Sequence, residues 1–207
     1  MECYMKKNIK KIGYFVAALS ICLLAIAGIC TADEKVYSDK MVSIRDSILY
    51  DNAQDTPLTG IVTYSSDQGL LQKKISYKNG KKDGVEQEFH SSGAVASETH
   101  YKEGKQDGFS RIYNADGILL WEIPFREGEK NGIAKKHNQS GTLINEIPFQ
   151  NGQIDGIEKR YYPSGMLQEE IPYKDNEING VRKYYSESGE LEKEILYKDD
   201  TAITPEQ

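Results

Sequence analysis

Glycine recurs at Gly60, Gly84, Gly108, Gly132, Gly156 and Gly180, every 24 residues without a slip. A second glycine follows nine places on in each copy (Gly69, Gly93, Gly117, Gly141, Gly165, Gly189), and an aromatic seventeen places on (Tyr77, Tyr101, Phe125, Phe149, Tyr173, Tyr197). Three columns held in phase make the chain a string of six copies of one short unit. Fixed periods of about 20 to 50 residues belong to stacked repeat architectures, in which no unit buries its own apolar face and its neighbours complete the core.

The unit from Gly156 to Asn179 contains two runs rich in β-branched and aromatic residues, separated by Pro163-Ser164-Gly165. Short loops with glycine in the left-handed conformation close β-hairpins, so each copy is expected to be one hairpin. If the loop fixes the register, Tyr162 faces Met166, Tyr161 faces Leu167 and Ile157 faces Ile171. The same arithmetic pairs Phe89 with Val95, Tyr113 with Leu119, Tyr185 with Leu191, Val85 with Thr99 and Val181 with Ile195. Through the second turn it sets Tyr173 against Val181 and Phe149 against Ile157. One face would then collect the apolar side chains, as a two-residue period requires.

The other face carries a column of glutamates, Glu98, Glu122, Glu146, Glu170 and Glu194, with Glu122 expected opposite Lys136 and Glu146 opposite Arg160. The column could be a docking strip for a basic partner or a row of cation ligands. The plainer reading is a solvated face with cross-strand ion pairs, each worth at most about 1 kcal/mol. Like residues on alternate strands lie about 9 to 10 Å apart, too far to share one metal ion. Pro124, Pro148 and Pro172 fall inside expected strands and cannot donate to a ladder, so they mark bulges, edges or ends of pairing, where the sheet bends. Whether the bending curls the array or leaves an open ribbon with an exposed apolar face is left undecided by the sequence.

The flanks differ from the repeats. Val42, Ile44, Ile48 and Tyr50 would share one side of an extended chain, which with the loop 51–59 suggests a capping strand and turn within a linker and cap over 33–59. After Tyr197 the pattern lapses, with Asp200 in place of the turn glycine and a tail at 204–207. At the other end, Lys6, Lys7, Lys10 and Lys11 precede an apolar run over 13–30 that ends at Cys30-Thr31-Ala32. This reads as an export signal over 1–32 with a small-x-small cleavage site. A membrane anchor helix formed by 13–30 is the rival, and lipidation of a cysteine a third reading. Each places the repeats outside the cytoplasm.

Beyond residue 32 there are 22 basic and 31 acidic side chains, a net charge of −9. Such a surface lacks the cation excess that drives binding to nucleic acid or anionic membranes. All three cysteines (Cys3, Cys22, Cys30) lie in the leader, so disulfides and thiolate chemistry are excluded from the repeats. His90, His100 and His137 have no metal-ligand spacing. His137 occupies a column filled elsewhere by Phe89, Tyr113, Tyr161 and Tyr185, which makes it a packing substitute. Trp121, the only tryptophan, is expected opposite Arg111 in a cation-π pair. Glu169 and Glu170 point to opposite faces of a strand and cannot act together as acid and base. No catalytic, metal or cofactor-binding residue can be named, and an enzyme is not expected.

The columns G-x-x-x-x-Y, G-x-L-x-x-E-I-x-Y/F and K-x-G-K-x-D-G, as in Tyr101-Lys102-Glu103-Gly104-Lys105-Gln106-Asp107-Gly108, resemble the bacterial variant of the MORN repeat and the YwqK-type antitoxins built from it. The resemblance covers about residues 42–200. It implies an all-β fold of tandem antiparallel β-hairpins in a long twisted meander sheet over 60–203, no enzymatic activity, and a role in binding another protein, in some members a toxin. Two readings of function follow. One is an exported protein-binding module, with an immunity-like role against a toxin as its sharpest form; the other is an envelope-associated scaffold that self-associates through its end strands.

Overall fold

The computed structural model describes residues 34–203. The expected leader, with its signal or anchor helix, and the tail at 204–207 lie outside the described residues. None of the described helices is long and apolar enough to cross a membrane.

Six antiparallel hairpins follow one another: Gly60–Ser65 with Leu71–Lys78, Lys81–Phe89 with Val95–Lys102, Lys105–Tyr113 with Leu119–Arg126, Gly132–His137 with Leu143–Gln150, Gly156–Tyr161 with Leu167–Lys174, and Gly180–Tyr185 with Leu191–Lys198. The second strand of each pairs with the first strand of the next, so the expected meander is formed. Every tip closes the same way. In the fifth hairpin Tyr162 N–H donates to Met166 O at 2.9 Å and Gly165 N–H to Tyr162 O at 2.8 Å, with Gly165 at φ +88°. This is the three-residue loop with a left-handed glycine that the sequence predicts.

The tips set Tyr161 opposite Leu167, Phe89 opposite Val95, Tyr113 opposite Leu119 and Tyr185 opposite Leu191, as expected. A β-bulge then intervenes, between Arg160 and Tyr161 in the fifth hairpin. Below it Ile157 faces Pro172, Val85 faces His100 and Val181 faces Leu196, not Ile171, Thr99 and Ile195. A one-residue slip moves every later side chain to the other face. The isoleucines expected to meet therefore part company: Ile171 is 1% exposed and Ile157 52%.

The second turn carries two residues with positive φ, such as Asn151 and Gly152 (49° and 82°), and each turn is tied to its predecessor. Gly104 N–H donates to Lys82 O at 2.8 Å, Gly128 to Gln106 O, Gly152 to Lys130 O, Asn176 to Ile154 O and Asp200 to Ile178 O. Asn176 and Asp200, where glycine is missing, adopt the same left-handed conformation, and their side chains accept the N–H of Ile154 and Ile178 at 2.7 Å. The pattern thus continues past Tyr197, into a strand Thr201–Ile203 paired with Leu196–Lys198. Because the chain bulges again before the next strand resumes, Tyr173 faces Ile178 and Phe149 faces Ile154, not Val181 and Ile157.

Proline sharpens this second bulge. Where Ser76 or His100 holds the column, the ladder beyond it starts at Ile75↔Glu86 or Thr99↔Ser110; where Pro124, Pro148 or Pro172 stands, it starts one pair later, at Glu122↔Lys135, Glu146↔Lys159 or Glu170↔Lys183. A residue with no N–H cannot make the missing bond.

The cap is richer than one strand and a turn. Val42–Arg45 and Ile48–Asp51 form a hairpin through Asp46 and Ser47, both at positive φ, and Thr56–Pro57 adds a third strand. The turn reverses the chain, so Ile44 (73% exposed) and Tyr50 do not share a side as expected; Ile44 faces Leu49. Leu49, Leu58 and Val62 form the best-buried cluster, with Tyr37, Val42, Tyr64 and Tyr77 packed against it. Leu58 O accepts Gly80 N–H at 2.7 Å, which places the cap at the first rung of the turn ladder. Val36–Ser38 pairs in parallel with Gly60–Ser65 and covers that edge of the sheet.

Candidate functional site

The register sorts the side chains onto two unlike faces. The inner face holds a central row in which Val62, Ile75, Glu86, Thr99 and Ser110 are neighbours, and further along Ala134 meets Ile147 and Glu158 meets Ile171. Val62, Ile75, Ala134, Glu158 and Ile171 are all buried. On this side long side chains from the flanking rows reach over the central one, as Lys73 and Lys82 do at Glu86 and Arg160 and Asn145 at Glu158.

Charge is buried on this face as well. Glu158 accepts from Arg160 Nε at 2.8 Å and from Asn145 Nδ2 at 3.0 Å; Glu169 accepts from Arg182 Nε at 2.7 Å and from Arg160 at 3.3 Å. A buried carboxylate is tolerated only when paired in this way. Near the other end, Lys73 lies 3.1 Å from Glu86, which also contacts Lys82. Burial works against ionisation of Glu86, but the two lysines outweigh it and hold the carboxyl below its usual value.

The outer face has three rows. The middle one contains the glutamate column, but the bulges change its partners. Glu122 lies between Arg111 and Lys135, and Glu146 between Lys135 and Lys159, not beside Lys136 and Arg160. From Glu98 to Glu194 acid and base alternate strand by strand, with Glu170 between Lys159 and Lys183. Five carboxylates against four cations leave the row nearly neutral, which removes the case for an acidic strip that attracts a basic partner. Among the described residues no group of three or more His, Asp or Glu could hold a metal ion.

Beside this row, near the tips, runs the column Phe89, Tyr113, His137, Tyr161 and Tyr185. Tyr161 Oη donates to Glu146 at 2.7 Å and Tyr185 Oη to Glu170 at 2.9 Å. Burial, and then the bonded carboxylate, push the Tyr161 phenol up to about 12. His137 makes no such bond, and its buried Nδ1 has no partner among the described residues. The corresponding carboxylate, Glu122, is taken by Arg111 Nε at 2.8 Å. His90 and His100 each bond a backbone carbonyl, of Tyr113 and Phe109. Trp121 faces Ile112 and Lys136, so its cation-π partner is Lys136, 5.2 Å from the ring, in place of Arg111. Glu169 and Glu170 do point to opposite faces.

The third outer row is apolar. Phe109 pairs with Pro124, Ile133 with Pro148, Ile157 with Pro172 and Val181 with Leu196. Phe109, Ile133, Ile157, Val181 and Leu196 are 40 to 53% exposed. At about 4.8 Å per strand the row extends about 34 Å. The register expected from the tips sets Ile157 with Ile171 and Val181 with Ile195 on one apolar face; the bulge near each tip moves Ile157 and Val181 to the outer face, and Pro124, Pro148 and Pro172 mark only the second bulge.

Fold and surface together define a tandem β-hairpin repeat protein. The family described as MORN repeat variant matches residues 82–103, 154–175 and 178–199, each spanning one hairpin and all in phase with the 24-residue period. Those three units are MORN-like by sequence as well as by fold. No curated protein matches the chain.

Proposed function

We propose that this is a non-enzymatic, exported repeat protein whose outer apolar row docks a protein partner, in the manner of an antitoxin or immunity protein that occupies a toxin. One observation carries the reading: an outer row of exposed apolar side chains, Phe109, Ile133, Ile157, Val181 and Leu196, with half-buried prolines between them, beside a nearly neutral charged row. Contiguous exposed apolar surface is costly unless something covers it. Export rests on the cationic and apolar leader, and N-terminal sequencing of the mature protein should begin at Asp33. Retained leader residues would replace export by anchoring.

The test is crosslinked capture of the tagged protein from its own cells, with the wild type beside Ile133→Asp/Ile157→Asp. A reproducible partner lost in the variant, whose melting temperature is unchanged, supports the reading, as does growth inhibition by that partner relieved by this protein. A partner held equally by the variant, or none at all, overturns it. The envelope scaffold has one observation in its favour: among the described residues Leu191–Ile195 is paired on one side only. A monomer by light scattering at all concentrations would remove it.

A further inference from the structure

The inner face differs from hairpin to hairpin. In the central row the first-strand positions are Val62, Glu86, Ser110, Ala134, Glu158 and Arg182, so the bulky or charged residue present elsewhere shrinks in the third and fourth hairpins. The aromatic column changes in the same place, from tyrosine to Phe125 and Phe149. The result is a hollow of about 250 Å³, floored by Ala134 and walled by Trp121 and Phe149. Ile112, Ile123 and Ile147 complete an apolar lining.

One cation, Lys130, lines the hollow, and a second, Lys136, stands against its Trp121 wall. Lys130 Nζ is 4.8 Å from the Phe149 ring and Lys136 Nζ 5.2 Å from that of Trp121. Among the described residues neither has a carboxylate within 4 Å. Glu158, the inner-face carboxylate one strand beyond Ile147, is already held by Arg160 and Asn145. On a strongly acidic body, two lysines with no anion at an aromatic hollow form a local site of opposite sign. Asn145 Oδ1, on the residue facing Lys136, is buried and also lacks a partner among the described residues.

We propose that this hollow binds a small aromatic carboxylate, with its ring over Ala134 between Trp121 and Phe149 and its carboxylate on Lys130 and Lys136. Pockets for small ligands combine an apolar lining with a few convergent polar groups, and the volume suits one ring. A cationic ligand would meet two ammonium groups. A neutral one would lose the charge-assisted contacts, which are the stronger kind.

Trp121 is the only tryptophan, so its emission reports this site directly. Titration of the full chain with phenylacetate should give a saturable change. 2-Phenylethanol should bind about tenfold more weakly or worse, and phenethylamine should give no saturable change. Lys130→Gln/Lys136→Gln alters two side chains outside the ion pairs and should remove the preference for the anion. Ala134→Glu, which installs the residue type found at Glu86 and Glu158, should abolish the response. The proposal is overturned if phenylacetate gives no saturable change, if the alcohol binds as well as the acid, if the double lysine variant keeps the preference, or if a folded Ala134→Glu still responds.

Discussion

Gly156 sits against Pro148: a Cβ built on the glycine would fall 3.2 Å from the proline Cγ, and the glycine holds φ at +118°. The bulge before each hairpin thus needs a residue with no side chain and a backbone conformation that L residues rarely adopt. Gly156→Ala should cost about 2 to 3 kcal/mol. Gly152→Ala, at φ +82° with open space around its Cβ position, should cost about 1 to 2 kcal/mol. Urea unfolding of both variants measures the difference.

Proline shortens the ladder by removing a donor, so Pro172→Ser should restore the pair that follows Ser76 in the first hairpin. The added bond is worth about 1 kcal/mol, and the loss of a rigid ring from the unfolded chain offsets it by about 0.4 to 1 kcal/mol. The melting temperature should therefore barely move. Hydrogen exchange should show one further protected amide, that of the introduced serine itself.

Much of this architecture is legible in the residues because period and turn chemistry are local. Gly165 and its counterparts announce the tips, and the 24-residue phase announces the meander. What escapes a reading of the sequence is the bulge between Arg160 and Tyr161, which leaves no residue type of its own, and whose single extra residue reassigns Ile157 and Glu158 to opposite faces. The cap hides its hairpin for a related reason: Asp46 and Ser47 form a turn usually marked by Asn-Gly, and nothing else interrupts the apolar pattern from Val42 to Tyr50. Site residues are harder still, since the exposed row and the inner hollow exist only once the register is known.

The Tyr161 hydroxyl bonded to Glu146 links stability to alkaline pH. Its folded pKa, about 12, lies above the usual 10.0 of a tyrosine, so the neutral phenol is favoured by folding. This contribution is complete below pH 10 and disappears as the pH climbs from 10 to about 12. Tyr185 and Tyr113 are raised for the same reasons, burial first and then Glu170 and Glu98, and add to the fall. Urea midpoints measured from about pH 8 to about pH 11.5 should decline above pH 10. Tyr161→Phe should lose about 1 kcal/mol at neutral pH and show a shallower alkaline decline. A flat wild-type profile would contradict the bond.

Ile157 and Ile171 would face each other in the register expected from the tip, and the bulge gives them opposite fates. Ile171 is buried in the inner central row, so Ile171→Ala removes buried methylenes and leaves a void, at a cost of about 2 to 5 kcal/mol. Ile157 stands in the open row, and Ile157→Ala should change stability by no more than about 0.5 kcal/mol. Had the hairpin kept the register set by its tip, with Ile157 facing Ile171 on one face, the two substitutions would cost alike. Thermal unfolding of the two single variants therefore reads out the bulge without a structure. A near-neutral Ile157→Ala also frees that residue for surface substitution, because loss of a partner in the aspartate variant then cannot be blamed on loss of fold.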